Sequence, residues 1–215
     1  MSAQLSAAAT PRPLALLDEA LAWTGDCLAL VGDHALDRPT PCSEWDLGRL
    51  LAHMNDSLTA LLEAAGLGGV GLGGVGLDGA GLDGAGLGRV GAAETARAAH
   101  PTDLVDVLLA RACAAREAWR SRATSAPVRV GELWLGRDTV LVVGALEVAV
   151  HGWDVARSVG AWRALPDSLA VPLYDVALNV VSGPDRGRRF AAPVEVPATA
   201  APGVRLLGHL GRADR

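Results

Sequence analysis

Apolar residues recur along this chain with a helical period. Leu14, Leu17, Leu21, Leu28 and Val31 share one stripe and predict a first helix over residues 13 to 35. The connector DRPTPCSEWD follows, with Ser43 as the expected N-cap and Asp46 three residues on, a variant of the capping box. A second helix over 44 to 65 carries Leu47, Leu50, Leu51, Met54, Leu58 and Leu61 on its apolar face. A third, over 102 to 122, turns Leu104, Val107, Leu108, Ala112 and Trp119 inward. The stretch APVRVGELWLGRD reads as turn-like or briefly extended, with Val128, Val130, Leu133 and Leu135 in alternation. A fourth helix is predicted over 139 to 158, ended by Gly160, and a fifth over 167 to 181 after Pro166. The Pro-rich tail RRFAAPVEVPATAAPGVRLLGHLGR reads as extended, closing with one short apolar turn. Four long helices predict an antiparallel bundle, and nothing in the pattern suggests a parallel sheet.

Residues 66 to 91 break the period. They run GLGGV, GLGGV, GLDGA, GLDGA, GLGRV, then Gly91, and hold half of the chain's 26 glycines. No GK[ST] closes them and no strand precedes them, so a phosphate-cradling loop is not indicated. So much glycine loses too much chain entropy on ordering to favour helix or strand. The segment is expected to be a flexible insertion outside the chemistry.

The fourth helix departs from plain core-forming sequence at two positions. Glu147 and His151, in GALEVAVHGWDVAR, lie four residues apart, about one helical turn, so both leave the same face. Their surroundings, 140 to 146 and 148 to 150, carry no charge. A carboxylate and an imidazole in such a run are paired, hydrogen-bonded or metal-bound, because an unpaired buried charge is too costly. A local Glu–His hydrogen bond satisfies the spacing as well as a metal does. His53, in the amphipathic WDLGRLLAHM, is the best candidate for a third ligand.

The 215 residues and 22.0 kDa fit one domain with a small appendage, here 1–182 as a helical unit and 183–215 as an extension packing on it. Half the residues are apolar and 20% charged, enough to bury a full core. A net charge of −5 argues against a general nucleic-acid surface, and no basic cluster suggests a membrane anchor. The longest apolar run is interrupted by Glu147, so no membrane span is expected, and MSAQLSAAATPRP lacks the pattern of a secretory signal. Three cysteines without CxxC spacing fit reduced thiols in the cytoplasm. Cys27 and Cys113 read as small residues within helices. Cys42, just ahead of a helix start, has the one plausible reactive setting.

In their order and spacing, TPCSEWDLGRLLAHM, EVAVHGWDVARSVG and the closing FAAPVEVP…LLGHLGR resemble the DinB-like, mycothiol-dependent maleylpyruvate isomerase N-terminal superfamily, most closely its actinobacterial metal-binding branch. The resemblance covers nearly the whole chain outside the glycine repeat. It implies an all-α, DinB-like antiparallel four-helix bundle with a short C-terminal extension. It further implies one divalent metal, usually zinc, on His53, Glu147 and His151. Three protein ligands with an open position describe a catalytic-type site. Relatives use the metal with a small thiol, mycothiol, for isomerisation or S-transfer. A thiol loses its proton only near pH ~8.5, and a bound cation favours the thiolate or activates a water. A thiol-dependent transferase or isomerase is therefore the expected function. Metal-assisted hydrolysis or lyase chemistry without a thiol, and a non-catalytic metal-binding protein, are the alternatives. The expected partners are a small thiol and a small electrophile, with no nucleic acid or membrane, in a monomer or homodimer.

Around that site, Asp154 follows His151 by three residues on the same face, as a partner either for the imidazole or for Arg157. Asp56 and Ser57 are candidates for lining the open side, and Arg49 for holding an anionic cofactor group. Trp153 and Trp45 are read chiefly as packing residues. His34, His100 and His209 have no partner at ligand spacing and are assigned to loops or solvent.

Overall fold

The computed structural model describes residues 12–42, 44–67, 100–187 and 190–212. Most of the glycine repeat, and Ser43, lie outside the described residues.

Helix α1, Pro13–Leu28, starts on a proline whose missing N–H costs nothing at that position, and ends well short of residue 35. Gly32 takes a positive φ of 47°, which a helix does not accommodate, although Val31 stays buried beneath the turn. The connector folds back on itself. Gly48 N–H donates to Leu36 O at 2.8 Å, Leu47 N–H to Arg38 O at 2.9 Å, and the Thr40 hydroxyl to Trp45 O at 2.8 Å. This tight return fixes Cys42 and Trp45 beside the start of α2, Leu47–Leu62. The cap of α2 is Asp46, whose Oδ1 accepts the Arg49 N–H at 2.8 Å, so the helix begins three residues later than a Ser43 cap requires. A π-type turn, Glu63–Leu67, follows, with Gly66 at φ 95°.

Helix α3, Pro101–Ser121, buries Leu104, Val105, Leu108, Ala112, Ala115 and Trp119. Strands β1, Val128–Val130, and β2, Leu133–Leu135, pair antiparallel across Gly131, which has φ 57°. The alternating stretch is thus a short hairpin. Val128 points into the core, while Leu133 and Trp134 are exposed.

Helix α4, Arg137–Ser158, is the central element and is covered by α1, α2 and α5, Asp167–Val180. Small residues let its neighbours approach. A Cβ on Gly152 would lie 2.7 Å from Thr24 Oγ1, and one on Gly144 2.7 Å from Leu61 Cδ2. Thr24 itself donates to the Val148 carbonyl at 2.8 Å, tying α1 to α4 through a buried hydrogen bond. Helix α3 lies against α1 and α2, so the contacts of these four helices close into a ring. By length and composition alone α4 is apolar enough to cross a membrane, although Glu147 interrupts its longest uncharged run. Its residues are instead mostly buried against protein, as in a core helix. Gly160, at φ 80°, follows its end as expected.

The tail does more than close with a turn. Helix α6, Pro202–His209, buries Leu206 and Leu207 and packs on α5. Val194 N–H donates to Gly208 O at 2.9 Å, fastening the extended segment to the helix. Half-buried His209, assigned to a loop from sequence, belongs to α6 and stacks edge-on against Tyr174 at 5.9 Å.

Candidate metal centre

His53 comes from α2; Glu147 and His151 come from α4, one turn apart. The close packing of these two helices brings the three side chains together. His53 Nε2 lies 2.5 Å and His151 Nε2 3.3 Å from Glu147 Oε1, and the two imidazoles meet edge-on with centroids 4.9 Å apart. One donor atom from each residue falls within 4.8 Å of the others. Access is graded: about a third of the His53 and Glu147 side chains reaches solvent, and only 10% of His151.

Glu147 and His151 hold each other charged. Burial pushes the Glu147 carboxyl up, but His151 and His53 prevail and place it well below the usual carboxylate range. Burial pushes His151 down, but Glu147, Asp154 and Cys42 prevail and raise it well above an ordinary histidine.

Asp154 is the partner of His151: Nδ1 lies 3.0 Å from Asp154 Oδ2. Because an ionised carboxylate only accepts, Nδ1 donates, which turns Nε2 towards Glu147. Burial pushes Asp154 up, yet Arg212 and His151 outweigh it and hold the carboxyl far below its ordinary range. Arg212 grips both oxygens, Nε to Oδ1 at 2.9 Å and Nη2 to Oδ2 at 2.7 Å. The Cys42 thiol donates to Oδ2 at 3.3 Å and accepts from Arg212 Nη2 at 3.4 Å. The Arg157 guanidinium lies over the Trp162 and Trp153 rings at 4.9 and 5.9 Å.

The other candidates divide. Ser57 Oγ donates to Glu147 Oε1 at 3.3 Å, placing it at the site. Asp56 is half-buried; burial raises its carboxyl, against the opposing pull of His53. Arg49 is exposed, with its guanidinium over the Trp45 ring at 5.7 Å. Trp45 is more than packing. Its ring stands 4.6 Å from that of His53 and 6.0 Å from that of His151, walling the two imidazoles. Arg212 was not singled out from sequence at all. It is 58 residues from Asp154, and the one cue is that an aspartate inside an apolar helix needs a cation.

Two imidazole nitrogens and a carboxylate oxygen are the donors of three-ligand zinc sites. With bonds of about 2.0–2.2 Å, neighbouring ligand atoms in a tetrahedron sit about 3.4 Å apart. The His151–Glu147 distance of 3.3 Å already meets this, whereas the His53–Glu147 contact of 2.5 Å must open by about an ångström. Cys42, His151 and Asp154 form a second close group. A cation there would face the Arg212 guanidinium, so the donor chemistry favours His53, Glu147 and His151.

The model of the mycothiol maleylpyruvate isomerase N-terminal domain matches residues 17–156, from within α1 almost to the end of α4. No curated protein and no solved structure matches the chain. The matched span includes Cys42, His53, Glu147, His151 and Asp154 and stops short of Arg212. On this match over more than half its length, the chain belongs to the mycothiol maleylpyruvate isomerase N-terminal domain family.

Proposed function

We propose that this chain is a DinB-type antiparallel four-helix bundle that holds one divalent ion, zinc by its donor set, on His53, Glu147 and His151. We propose further that it works as a small-thiol-dependent transferase or isomerase. The observation that carries the reading is the convergence of His53 Nε2, Glu147 Oε1 and His151 Nε2 from two helices. The ion, when bound, supplies Lewis acidity that favours the thiolate of a small thiol, with mycothiol as the family's cosubstrate.

The chain's own residues prepare the rest. Glu147 brings a negative charge between two imidazoles, so the three ligands together reduce the charge of a divalent ion without cancelling it. Ser57 holds the same Glu147 oxygen and steadies its rotamer. Trp45 covers the imidazoles on one side and limits water there. Solvent reaches His53 and Glu147, and a small electrophile enters from that side, past Asp56. A reduced, cytoplasmic setting agrees with the three free cysteines.

The test is a cobalt-substituted full-length chain titrated with mycothiol. A new sulfur-to-cobalt charge-transfer band, together with turnover of an electrophile that needs both metal and thiol, supports the reading. A spectrum blind to mycothiol and other small thiols contradicts it and leaves hydrolysis or a structural ion.

A further inference from the structure

Asp154 has no exposed surface, and only 8% of the Arg212 side chain is exposed. A two-pronged guanidinium–carboxylate contact of this kind fixes direction as well as charge. The residues behind the pair make that direction matter. Asp154 Oδ2 accepts from His151 Nδ1, and the opposite nitrogen of the same ring faces Glu147. Arg212 reaches Asp154 because α6 is packed on α5 and the chain turns back after it, with Arg212 N–H bonded to Leu207 O at 2.9 Å and Nη1 to Leu210 O at 3.2 Å. The guanidinium is thus anchored at its own end before it touches Asp154.

We propose that Arg212, outside the span matched by the family, is a positioning residue. Acting through Asp154, it sets the orientation of the His151 ring and couples the C-terminal segment to the metal centre. The inference rests on the reading of His53, Glu147 and His151 as the metal ligands. Without Arg212, Asp154 keeps, among the described residues, only His151 and Cys42 for partners, and nothing fixes the direction of its carboxylate. A carboxylate free to turn is no longer a fixed acceptor behind His151.

The experiment is zinc affinity of the full-length chain by chelator competition in R212Q, R212K, D154N and R212Q/D154N, with R129Q, from the exposed Arg129–Glu132 pair on the hairpin, as control. R212Q is expected to lose about 10–100-fold in affinity, the range for a group that orients a ligand. R212K keeps the charge but not the fork and should lose several-fold; R129Q should match the parent. Because Arg212 acts through Asp154, the double variant should be no weaker than D154N. Losses that multiply, or an R212Q of unchanged affinity, overturn the proposal. Should R212Q fail to fold, R212K decides, and parental affinity in R212K overturns the proposal. The His151 ring 15N signals of the chelator-treated chain give a metal-free readout, expected to move in R212Q and D154N but not in R129Q. If the parent chain takes up no zinc, the metal assignment fails while these signals still decide the coupling, and signals unmoved in R212Q overturn it.

Discussion

Glu147 touches both imidazoles, so its substitution reaches every contact of the site at once. E147Q keeps the shape but replaces a charged ligand by a weakly donating amide, and is expected to lose zinc more severely than D154N. D154N changes only the partner behind His151, for which about 10–100-fold is typical; chelator competition on both variants gives the order, and D154N weaker than E147Q contradicts it. A second residue gives a pH signature away from the metal. Burial raises the Cys27 thiol from 9.0 to about 11, outweighing the lowering effect of Arg163. Between those values the unfolded thiol has lost its proton while the folded one keeps it, so stability falls as pH rises. At pH 11 the loss reaches about 2–3 kcal/mol, at ~1.4 kcal/mol per pKa unit. Denaturant melts from pH 8 to 11 should show this decline in the parent and a shallower one in C27A; parallel curves would contradict it. Residue-level chemistry was legible where a polar group interrupts an apolar run, as at Glu147, His151 and Asp154. It was not legible for Trp45, because an aromatic at a helix entrance has the same sequence signature whether it packs or walls a site.

Helix α4 depends on glycines at two crossings, and the two differ in what they meet. At Gly152 the nearest atoms are Oγ1, Cβ and Cγ2 of Thr24, 2.7–3.1 Å from an added Cβ. Thr24 is held by its bond to the Val148 carbonyl and has a branched Cβ that cannot swing clear. At Gly144 the nearest atoms belong to the end of the Leu61 side chain, which can rotate. G152A is therefore expected to destabilise by about 1–3 kcal/mol through overpacking. Both variants regain up to about 1 kcal/mol of helix propensity, and G144A should cost less because the Leu61 side-chain end can rotate away. Urea midpoints check the order, and equal midpoints would mean that α1 and α4 are not in close contact. The periodicity located the long helices of the described residues: α1, α2, α3 and α5 each bury one face, and α4, buried nearly all round from 144 to 158, reads as a continuous apolar run. It overran α1, because Val31 continues the stripe into a turn that Gly32 enforces. It missed the pairing of the hairpin, which is a contact between segments and not a property of either one. It also shortened α6 to a single turn, since Pro193, Pro197 and Pro202 ahead of the apolar residues, and Gly203 and Gly208 among them, concealed an eight-residue helix.

At the scale of the molecule, the candidate site joins three distant stretches: the return before α2 with α2 itself, α4 from Glu147 to Asp154, and the last described residues around Arg212. The family match extends over the first two and not the third. Nothing local in the tail marks Arg212; its role follows only from how α6 is carried by α5 back to α4. The proposed centre holds one divalent ion on His53, Glu147 and His151 with a position left for a thiol. Zinc K-edge X-ray absorption on the zinc-loaded, full-length chain tests it most directly. One zinc per chain is expected, with nitrogen and oxygen neighbours at about 2.0–2.2 Å, two imidazoles among them, and no sulfur. Added mycothiol should bring in a single sulfur at about 2.3 Å. Sulfur present before any thiol is added, a fit with only one imidazole, or no retained zinc would contradict it.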